Sequence, residues 1–283
     1  MLELDLTSSK PSQNILKYET SNFPGGEIFF RLNTEKVLEP VTIFVRLTSS
    51  NEIMRLIMAV DSLRRVGCEE IHLNMMYCPY AQQDRVCNPG ESHSLKVFAN
   101  LINSLKFKTV TVFDPHSNVT EAVFDNLIVI DNSEFIRHIL LYEDELREKP
   151  LNIVVPDAGA AKKIWSLVNK KVFEGVDYEL VICDKMRNPK TTQIIGMTCP
   201  VLKNNNDCLI IDDLCLGGKT FTSIVDVIKN QNKDLSRKFY LAVSHGIFNY
   251  GFEVFKNYFS GIYCTDSYRD INTYLVKQYK FFR

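Results

Sequence analysis

Two adjacent carboxylates, followed by a turn that contains glycine, are the clearest chemical feature of the sequence. The segment CLIIDDLCLGGKTFTSI (208–224) reads as an apolar strand ending at Asp212 and Asp213, then a turn, then the start of a helix. Paired carboxylates accept hydrogen bonds from vicinal hydroxyls such as the 2′- and 3′-OH of ribose. The turn and the helix N-terminus supply N–H groups and a positive dipole end that suit a phosphate. The segment therefore predicts a site for ribose next to phosphate, although a capped helix start with a solvated Asp213 accounts for the same residues.

Acidic, polar and histidine residues also recur where other apolar strands of the sequence end. Ligands of open parallel sheets bind beyond the carboxyl ends of the strands, so we expect these residues to line a shared crevice. A structural protein has little reason to place such residues at nearly every strand end, which favours a catalytic site. The segments are YCPYAQQDR (77–85), FDPHS (113–117), VPDAG (155–159), CDKMR (183–187), SHGIF (244–248) and CTDS (264–267).

Short apolar or β-branched runs alternate with amphipathic helical segments along the whole chain. In NEIMRLIMAVDSLRRVG (51–67), apolar residues recur at helical spacing and Gly67 is the expected stop. Strands separated by helices of this length predict parallel sheets covered by helices on both faces. We predict strands at 41–47, 70–77, 109–114, 152–157, 178–184, 208–213, 239–246 and 261–266, and helices at 51–67, 92–105, 159–171, 220–230 and 250–259.

The order of these elements repeats after residue 134, so two similar α/β domains are expected. We place them at 1–133 and 134–283, because the charged segment DNSEFIRHILLYEDELREKP (131–150) interrupts the alternation. A chain of 283 residues with 45% hydrophobic content is long enough for two cores of ordinary size.

Composition excludes several classes of function. A formal net charge of −1 provides no global field for nucleic acid or for an anionic membrane surface. The lysine pairs at 162–163 and 170–171 could form a local basic patch, but solvated helix faces explain them more simply. No apolar run approaches the roughly 18 residues of a membrane span, so neither nucleic acid nor a membrane is an expected partner.

The eight cysteines and the first residues of the chain indicate a compartment. The cysteines form no CxxC pair and no His/Cys zinc spacing, and several fall within apolar runs, where a free thiol behaves as a small hydrophobe. The start MLELDLTSSK lacks the basic and apolar regions of a signal peptide. We therefore expect a cytoplasmic protein.

Six short motifs, in order and at matching spacing, give the chain a specific resemblance. It resembles the phosphoribosyl pyrophosphate (PRPP) synthetases, the ribose-phosphate diphosphokinase family, over nearly its whole length. This resemblance implies two phosphoribosyltransferase-like (Rossmann-like) domains and a reaction in which a ribose anomeric hydroxyl attacks the β-phosphorus of ATP, giving a 1-pyrophosphate and AMP. The motifs are PYAQQDR for the family's PYARQDR, FDPHS for DLHA, VVPDAGAAK for SPDAGG, DKMR for DKRR, IIDDL for the ribose-binding DD segment and SHGIF for THGVF.

The resemblance assigns a metal site and a catalytic loop. His116 and Asp157 match the family's residues at the metal–ATP site, and aspartate is a hard oxygen ligand suited to Mg²⁺, which is therefore the expected metal. Lys185 and Arg187 match the loop cations that cover the transferring phosphates, where charge neutralisation supplies most of the catalysis. Met186 between them departs from a usual arginine.

The ATP-binding residues implied by the resemblance include positions that differ from the family pattern. The family's Arg-Gln pair reads Gln82 and Gln83, so one guanidinium that would pair with phosphate is absent, whereas Arg85 matches the arginine that ends the motif. His116 also belongs to this set. These changes leave the nucleotide specificity open.

Part of the adenine pocket in this family comes from a neighbouring subunit, through a segment Phe-x-Asp-Gly-Glu. Here the segment reads FPGGE, which keeps Phe23 and Glu27 but has Gly25 in place of the aspartate. If the retained residues serve the same purpose, the chain forms a homo-oligomer that is at least a dimer.

The ribose-phosphate loop departs furthest from the family pattern DDxxDTGGT. Leu216 replaces an aspartate, Gly217 a threonine and Lys219 a glycine. The missing hydroxyl and the added charge suggest an acceptor whose 5′-phosphate is substituted, such as ADP-ribose, giving ADP-ribose 1-pyrophosphate, a plausible intermediate for rebuilding NAD. Ordinary ribose 5-phosphate, giving PRPP, stays open. The expected ribose- and phosphate-binding residues are Asp212, Asp213, Gly217, Gly218, Lys219 and Thr220.

Two other classes of protein also fit parts of the sequence. A phosphoribosyltransferase shares the acidic pair and the phosphate loop, but single-domain transferases lack the duplicated domain and the DKMR loop. A non-catalytic homologue that assembles with active subunits would explain the substitutions at Gly25, Gln82 and Leu216. Retention of the metal-site and loop residues weighs against that second alternative.

Overall fold

A computed structural model of the chain describes residues 1–7, 15–187, 194–231 and 236–280, with the side chains of 186, 187, 194 and 195 outside that description. The chain forms two compact units, Met1–Asp131 and Asn132–Arg283. No helix in the described ranges has the length and apolar character needed to cross a membrane.

The first unit is built around a parallel sheet. Its strands are β1 (Leu2–Asp5), β2 (Tyr18–Asn22), β3 (Ile28–Leu32), β4 (Val41–Val45), β5 (Ile71–Met75), β6 (Thr109–Phe113) and β7 (Leu127–Ile130), and its helices are α1 (Ser50–Arg65), α2 (Ser94–Ser104) and α3 (Val119–Val123). Five strands pair in parallel in the order β1-β4-β5-β6-β7, while β2 and β3 form a separate antiparallel hairpin. The predicted parallel sheet is confirmed.

Helix α1 shows why the sequence folds in this way. Its buried residues Leu56, Ala59, Val60 and Leu63 recur at intervals of three and four, which places them on one face of the helix against the core. The side chain of its N-cap residue accepts a hydrogen bond from a first-turn N–H, as helix starts require. Gly67 follows the helix at φ 93°, a left-handed conformation that favours glycine, so the predicted stop is confirmed.

The second unit contains a larger parallel sheet. Its strands are β8 (Leu151–Val155), β9 (Tyr178–Ile182), β10 (Asp184–Arg187), β11 (Ile194–Thr198), β12 (Asp207–Cys215), β13 (Phe239–Gly246), β14 (Gly261–Thr265) and β15 (Val276–Tyr279), and its helices are α4 (Ser133–Tyr142), α5 (Ala158–Asn169) and α6 (Lys219–Gln231). Six strands pair in parallel in the order β15-β14-β13-β12-β8-β9, and β10 pairs with β11 as an antiparallel hairpin.

The order of strands changes direction next to β8. From β8 the chain passes through α5 to β9 on one side, and it later resumes at β12 on the other side. In open α/β sheets, such a reversal opens a crevice outside the carboxyl ends of the two central strands, which is where ligands bind. In this unit those ends belong to β8 and β12, so the order of the strands indicates that a ligand would bind near the ends of these two strands.

One helical prediction is wrong in the second unit, and one of its helices was not predicted. The helix expected at 250–259 is only a short 3₁₀ turn, Glu253–Phe255. Phe248 at φ 50° and Gly251 at φ 74° put left-handed turns just where a helix would have to begin. The segment 131–150, which was expected to interrupt the alternation of strands and helices, contains α4, because four of its apolar residues form a buried face: Phe135, Ile136, Ile139 and Leu140.

Strand β12 is longer than expected. It extends through Asp212 and Asp213 to Cys215, so the two carboxylates lie inside the paired strand rather than beyond its end. Asp212 is paired with Val243 of β13, and the strand continues because Leu214 pairs with His245. The backbone of the acidic pair is therefore fixed by the sheet.

Candidate active site

Asp157 lies at the carboxyl end of β8 and forms the N-cap of helix α5. Its backbone is extended, and its Oδ1 atom accepts a hydrogen bond of 3.1 Å from the N–H of Ala160. Its Oδ2 atom lies 3.6 Å from the Nζ atom of Lys185. One carboxylate oxygen thus satisfies the helix start, while the other faces a cation that the sequence assigns to the catalytic loop.

Lys185 is held on strand β10, and only 9% of its side chain is exposed. The β10–β11 hairpin that carries it begins after Cys183 and ends before Cys199, whose sulfur atoms lie 2.7 Å apart in the core. The hairpin is therefore anchored at its base by a contact between two buried thiols. The side chain of Arg187, the second predicted catalytic residue, lies outside the described part of the chain.

The acidic pair on β12 occupies a partly buried, charged environment. The Oδ1 atom of Asp212 accepts a hydrogen bond of 2.9 Å from the N–H of Asp213. Burial raises the pKa of Asp212 well above its usual value, and the negative charges of Asp213 and, more weakly, Asp157 add to that rise. Three carboxylates therefore act on one another in this unit, as expected for a site that binds hydroxyls and cations.

Lys163 contacts the acidic pair, which the sequence did not predict. Its Nζ atom lies 3.7 Å from the Oδ2 atom of Asp213, whose side chain is nearly buried. The sequence placed Lys163 in a lysine pair on a solvated helix face. Its contact could have been expected from its position on α5 shortly after Asp157. Helical side chains point back toward the helix N-terminus, and the N-terminus of α5 lies at this site.

The loop between β12 and α6 is short, and helix α6 begins at Lys219. Thr220 and Lys219 are therefore its first two residues, at the end whose N–H groups and dipole attract a phosphate. Gly218 has φ 80°, and a side chain there would overlap the ring of Phe255. Glycine is therefore required at position 218 by the conformation and by the close approach of this ring.

Gly217 also has an aromatic neighbour. A Cβ atom at this position would lie 2.7 Å from the Cε2 atom of Tyr250. Two adjacent glycines in a loop commonly permit the close approach of a bulky group. Here the rings of Tyr250 and Phe255 occupy the space where the Cβ atoms of residues 217 and 218 would lie.

Within the first unit, Arg85 and His116 come together around a buried carboxylate. The Nε atom of Arg85 donates a hydrogen bond of 2.8 Å to the Oδ1 atom of Asp84, which is only 6% exposed. This contact lowers the pKa of Asp84, and the positive potential of His116 lowers it further. Asp84 was not predicted, although it stands inside the QDR motif. Gln82 and Gln83 are exposed in the preceding turn.

Phe23 and Glu27 are exposed at the tip of the β2–β3 hairpin. The N–H of Phe23 donates to the carbonyl of Glu27 at 2.8 Å, and Gly26 at φ 95° completes the turn. A Cβ atom at Gly25 would lie 2.9 Å from the Oε2 atom of Glu27. The Glu27 carboxylate therefore leans over the position where the family has an aspartate.

The expected metal pair cannot be assembled from one unit, because His116 belongs to the first and Asp157 to the second. It stays a prediction. Among the residues that the structure describes, no three His, Cys, Asp or Glu side chains converge to hold a metal ion. A partly exposed aspartate still fits Mg²⁺, because this ion usually keeps several waters and takes one or two carboxylates together with phosphate oxygens.

Comparison with known proteins gives a consistent result. A sequence model described as the N-terminal domain of ribose phosphate pyrophosphokinase matches residues 7–105. Ribose-phosphate pyrophosphokinase of Mycoplasmopsis pulmonis is 28% identical over 240 residues, which cover 83% of this chain and 71% of the relative. The corresponding protein of Fusobacterium nucleatum is 26% identical over 249 residues, covering 86% of this chain and 74% of the relative.

The fold also matches a solved structure. The phosphoribosylpyrophosphate synthetase of Mycobacterium smegmatis superposes with a TM-score of 0.77 at 16% identity, covering 94% of this chain and 86% of that one. At 16% identity this similarity shows that the two proteins share a fold. In this chain the fold consists of two α/β units with parallel sheets. The matched N-terminal domain, the relatives that align over more than four fifths of this chain and the shared fold all support the resemblance to the ribose-phosphate pyrophosphokinases that the six motifs indicate.

Proposed function

We propose that this chain transfers the β,γ-diphosphoryl group of ATP to the anomeric hydroxyl of a 5-phosphorylated ribose and releases AMP. The observation that supports this most strongly lies where the strand order of the second unit reverses. There Asp157, which follows β8, faces Lys185, and Asp212 and Asp213 stand on β12, the neighbouring strand. This arrangement offers acceptors for a sugar diol next to a cation for phosphate.

Each group has a defined task in the proposed reaction. Asp212 and Asp213 accept hydrogen bonds from the 2′- and 3′-hydroxyls and so orient the ribose. Its anomeric oxygen attacks the β-phosphorus of ATP, the bond to the α,β-bridging oxygen breaks, and the electron pair and negative charge leave with AMP while the hydroxyl proton is lost. Lys185 and Arg187 stabilise the charge that develops on the transferring phosphates.

The ion pair between Lys185 and Asp157 suits this task. An ammonium held beside a carboxylate at 3.6 Å is already positioned, and ATP phosphates can compete for it when they arrive. Asp157 would be a ligand of Mg²⁺ in the second unit, and His116 stays a predicted ligand in the first. When bound, this ion would supply neutralisation of the negative charge on the phosphates.

The acceptor is the finer part of the proposal. A terminal phosphomonoester requires many convergent donors, and the loop lacks the family's threonine hydroxyl at Gly217. Lys219 adds a charge suited to a phosphate that continues into a second phosphate. We therefore favour an acceptor of the ADP-ribose type, which would give ADP-ribose 1-pyrophosphate for rebuilding NAD. The relatives are named ribose-phosphate pyrophosphokinases, and ribose 5-phosphate is therefore the second candidate acceptor.

The purified protein should be incubated with ATP, Mg²⁺ and either ribose 5-phosphate or ADP-ribose, with AMP release and product mass measured by mass spectrometry. AMP that depends on an acceptor supports the proposed transfer, and the product mass identifies the acceptor. An Asp212→Asn variant is the matched control, since it removes one acid of the pair and keeps the size of the side chain. Pyrophosphate release from PRPP would support a phosphoribosyltransferase instead, and inactivity with every ribose phosphate would support a non-catalytic subunit.

We also propose a homo-oligomer of at least two subunits in a reducing cytoplasm. The exposed hairpin tip with Phe23 and Glu27 is available to a second copy. All eight cysteines are free thiols, and seven of them are buried. Sedimentation of the purified protein would test the assembly, and a Phe23→Ala variant should weaken ATP binding if the tip completes a partner's adenine pocket.

A further inference from the structure

Tyr250 is 77% exposed although it is next to the predicted phosphate loop. Its ring passes so close to Gly217 that a Cβ atom there would lie 2.7 Å from Cε2 and 2.9 Å from Cδ2. One edge of the ring therefore lies along the loop, while most of the ring surface faces solvent. The ring is therefore held beside the loop with most of its surface accessible to a ligand.

The position of Tyr250 is set by the backbone rather than by burial of the ring. The N–H of Asn249 donates to the carbonyl of Leu216 at 2.9 Å, and the N–H of Phe248 donates to the carbonyl of Cys215 at 3.1 Å. Phe248 and Gly251 both have positive φ, so the turn between them is tight. These bonds tie the turn to the loop, and a ring presented in this way needs little ordering when a ligand binds.

Two further features of the loop agree with a planar ligand group. Leu216 next to Gly217 is 38% exposed and extends the apolar surface beside the ring. Lys219 and the N-terminus of the 13-residue helix α6 provide positive charge for a linking diphosphate. The family's threonine at position 217 would collide with this ring, so the glycine and the tyrosine belong to one arrangement.

We propose that Tyr250 determines the acceptor by stacking against the base of a ribose whose 5′-phosphate is linked to a nucleoside. The proposal rests on the proposed function and deepens its acceptor site. Stacking of a base on an aromatic side chain contributes about tenfold or more to affinity. Ribose 5-phosphate has no base and gains nothing from the ring, so Tyr250 selects between the two acceptors.

Tyr250→Ala and Tyr250→Phe should be compared with the wild-type protein using ADP-ribose and ribose 5-phosphate. We expect Tyr250→Ala to raise the ratio of KM for ADP-ribose to KM for ribose 5-phosphate about tenfold, with kcat for ADP-ribose nearly unchanged. Tyr250→Phe should keep the wild-type ratio, because the ring is retained. Tyr274→Ala is the matched control, since Tyr274 is an exposed tyrosine (84%) outside the loop.

Several results would overturn the proposal. An unchanged ratio in Tyr250→Ala would remove the ring from acceptor selection, and a Tyr250→Phe ratio as high as that of Tyr250→Ala would assign the effect to the hydroxyl. A wild-type protein that accepts ribose 5-phosphate but not ADP-ribose would overturn it while leaving diphosphoryl transfer intact. Titration calorimetry of ADP-ribose needs no turnover. Equal affinities of wild type and Tyr250→Ala would therefore refute stacking even if neither protein released AMP.

Discussion

The ammonium of Lys185 and the carboxylate of Asp157 lie 3.6 Å apart, which pairs the β10–β11 hairpin with the first turn of α5. The lysine side chain is 9% exposed and that of the aspartate 35%, so this pair is screened less than a surface ion pair. It connects the loop that the family uses for catalysis with the residue expected at the metal. The first two predictions test the two partners separately.

Removing the loop cations should reduce the rate far more than it affects substrate binding. We expect Lys185→Ala and Arg187→Ala each to lower kcat about a hundredfold or more, because these charges act mainly on the transition state. The measurement is AMP release at saturating ATP and acceptor. Lys203→Ala, at an exposed lysine, is the control. Activity within about threefold of wild type in both loop variants would remove the catalytic assignment.

Asp157 has two roles that substitution can separate. Asp157→Asn keeps an oxygen for the helix cap but loses the charge, whereas Asp157→Ala loses both. We expect Asp157→Ala to lower the free energy of unfolding by about 1 kcal/mol and Asp157→Asn to leave it nearly unchanged, with both variants losing activity. Urea unfolding together with AMP release tests this. An active Asp157→Asn protein would show that the carboxylate charge is not needed.

The raised pKa of Asp212 predicts how stability depends on pH. Because the folded protein binds this proton more tightly than the unfolded chain, stability falls as pH rises from the usual aspartate pKa toward the raised one. Asp212→Asn should therefore melt at a higher temperature than wild type at pH 7, and the difference should shrink below about pH 4. Melting curves across this range test it, with the exposed Asp177→Asn as control. A difference in melting temperature between the two proteins that stays constant with pH would contradict this expectation.

Restoring the family's loop should change the acceptor preference. The triple variant Leu216→Asp, Gly217→Thr, Lys219→Gly should favour ribose 5-phosphate, because it regains a hydroxyl donor and loses the added charge. The threonine must displace the ring of Tyr250, so the same change should be more effective in a Tyr250→Ala background. The ratio of kcat/KM for the two acceptors is the readout, and a ratio unchanged in both backgrounds would show that the loop does not select.

Cys183 and Cys199 should form a disulfide under mild oxidation. Their sulfur atoms lie 2.7 Å apart, and the hydrogen bond from Cys183 lowers the pKa of Cys199, which favours its thiolate. Exchange with a small disulfide oxidises the two thiols, gives one intramolecular disulfide and reduces the reagent to two thiols. Peptide mapping should find this crosslink and its reversal by dithiothreitol, and Cys199→Ser should abolish it. A crosslink at another pair would contradict the prediction.

Most of the parallel architecture could be predicted from the sequence, because strands buried on both faces read as continuous apolar runs. Strand β8 is buried throughout, and β13 is too. Because ligands of parallel sheets bind beyond the carboxyl ends of the strands, the sequence also indicated Asp157 and Asp212 as candidate site residues. The two antiparallel hairpins were missed, since the exposed strand β2 and the short β10 carry little apolar pattern.

Other features depend on tertiary structure that no local pattern encodes. The reversal of strand order beside β8 is one, and the left-handed turn at Phe248 that prevents a helix at 250–259 is another. The role of Lys163 follows only from its distance to Asp213 across two elements. Likewise, the contact between Gly217 and Tyr250 could not be predicted, because this aromatic neighbour comes from a distant segment of the sequence.

The pairing of β8 with β12 has a consequence for how this protein acquires its activity. Leu151 is paired with Asp207, and the intervening chain contains a helix, another strand of the same sheet and the paired strands β10 and β11. Closing so long a loop is entropically costly and slow compared with local contacts. A newly synthesised chain should therefore form most of its helices before it can bind a sugar phosphate. In a refolding experiment, the helical circular dichroism signal should return early, and ligand binding should be among the last properties to return.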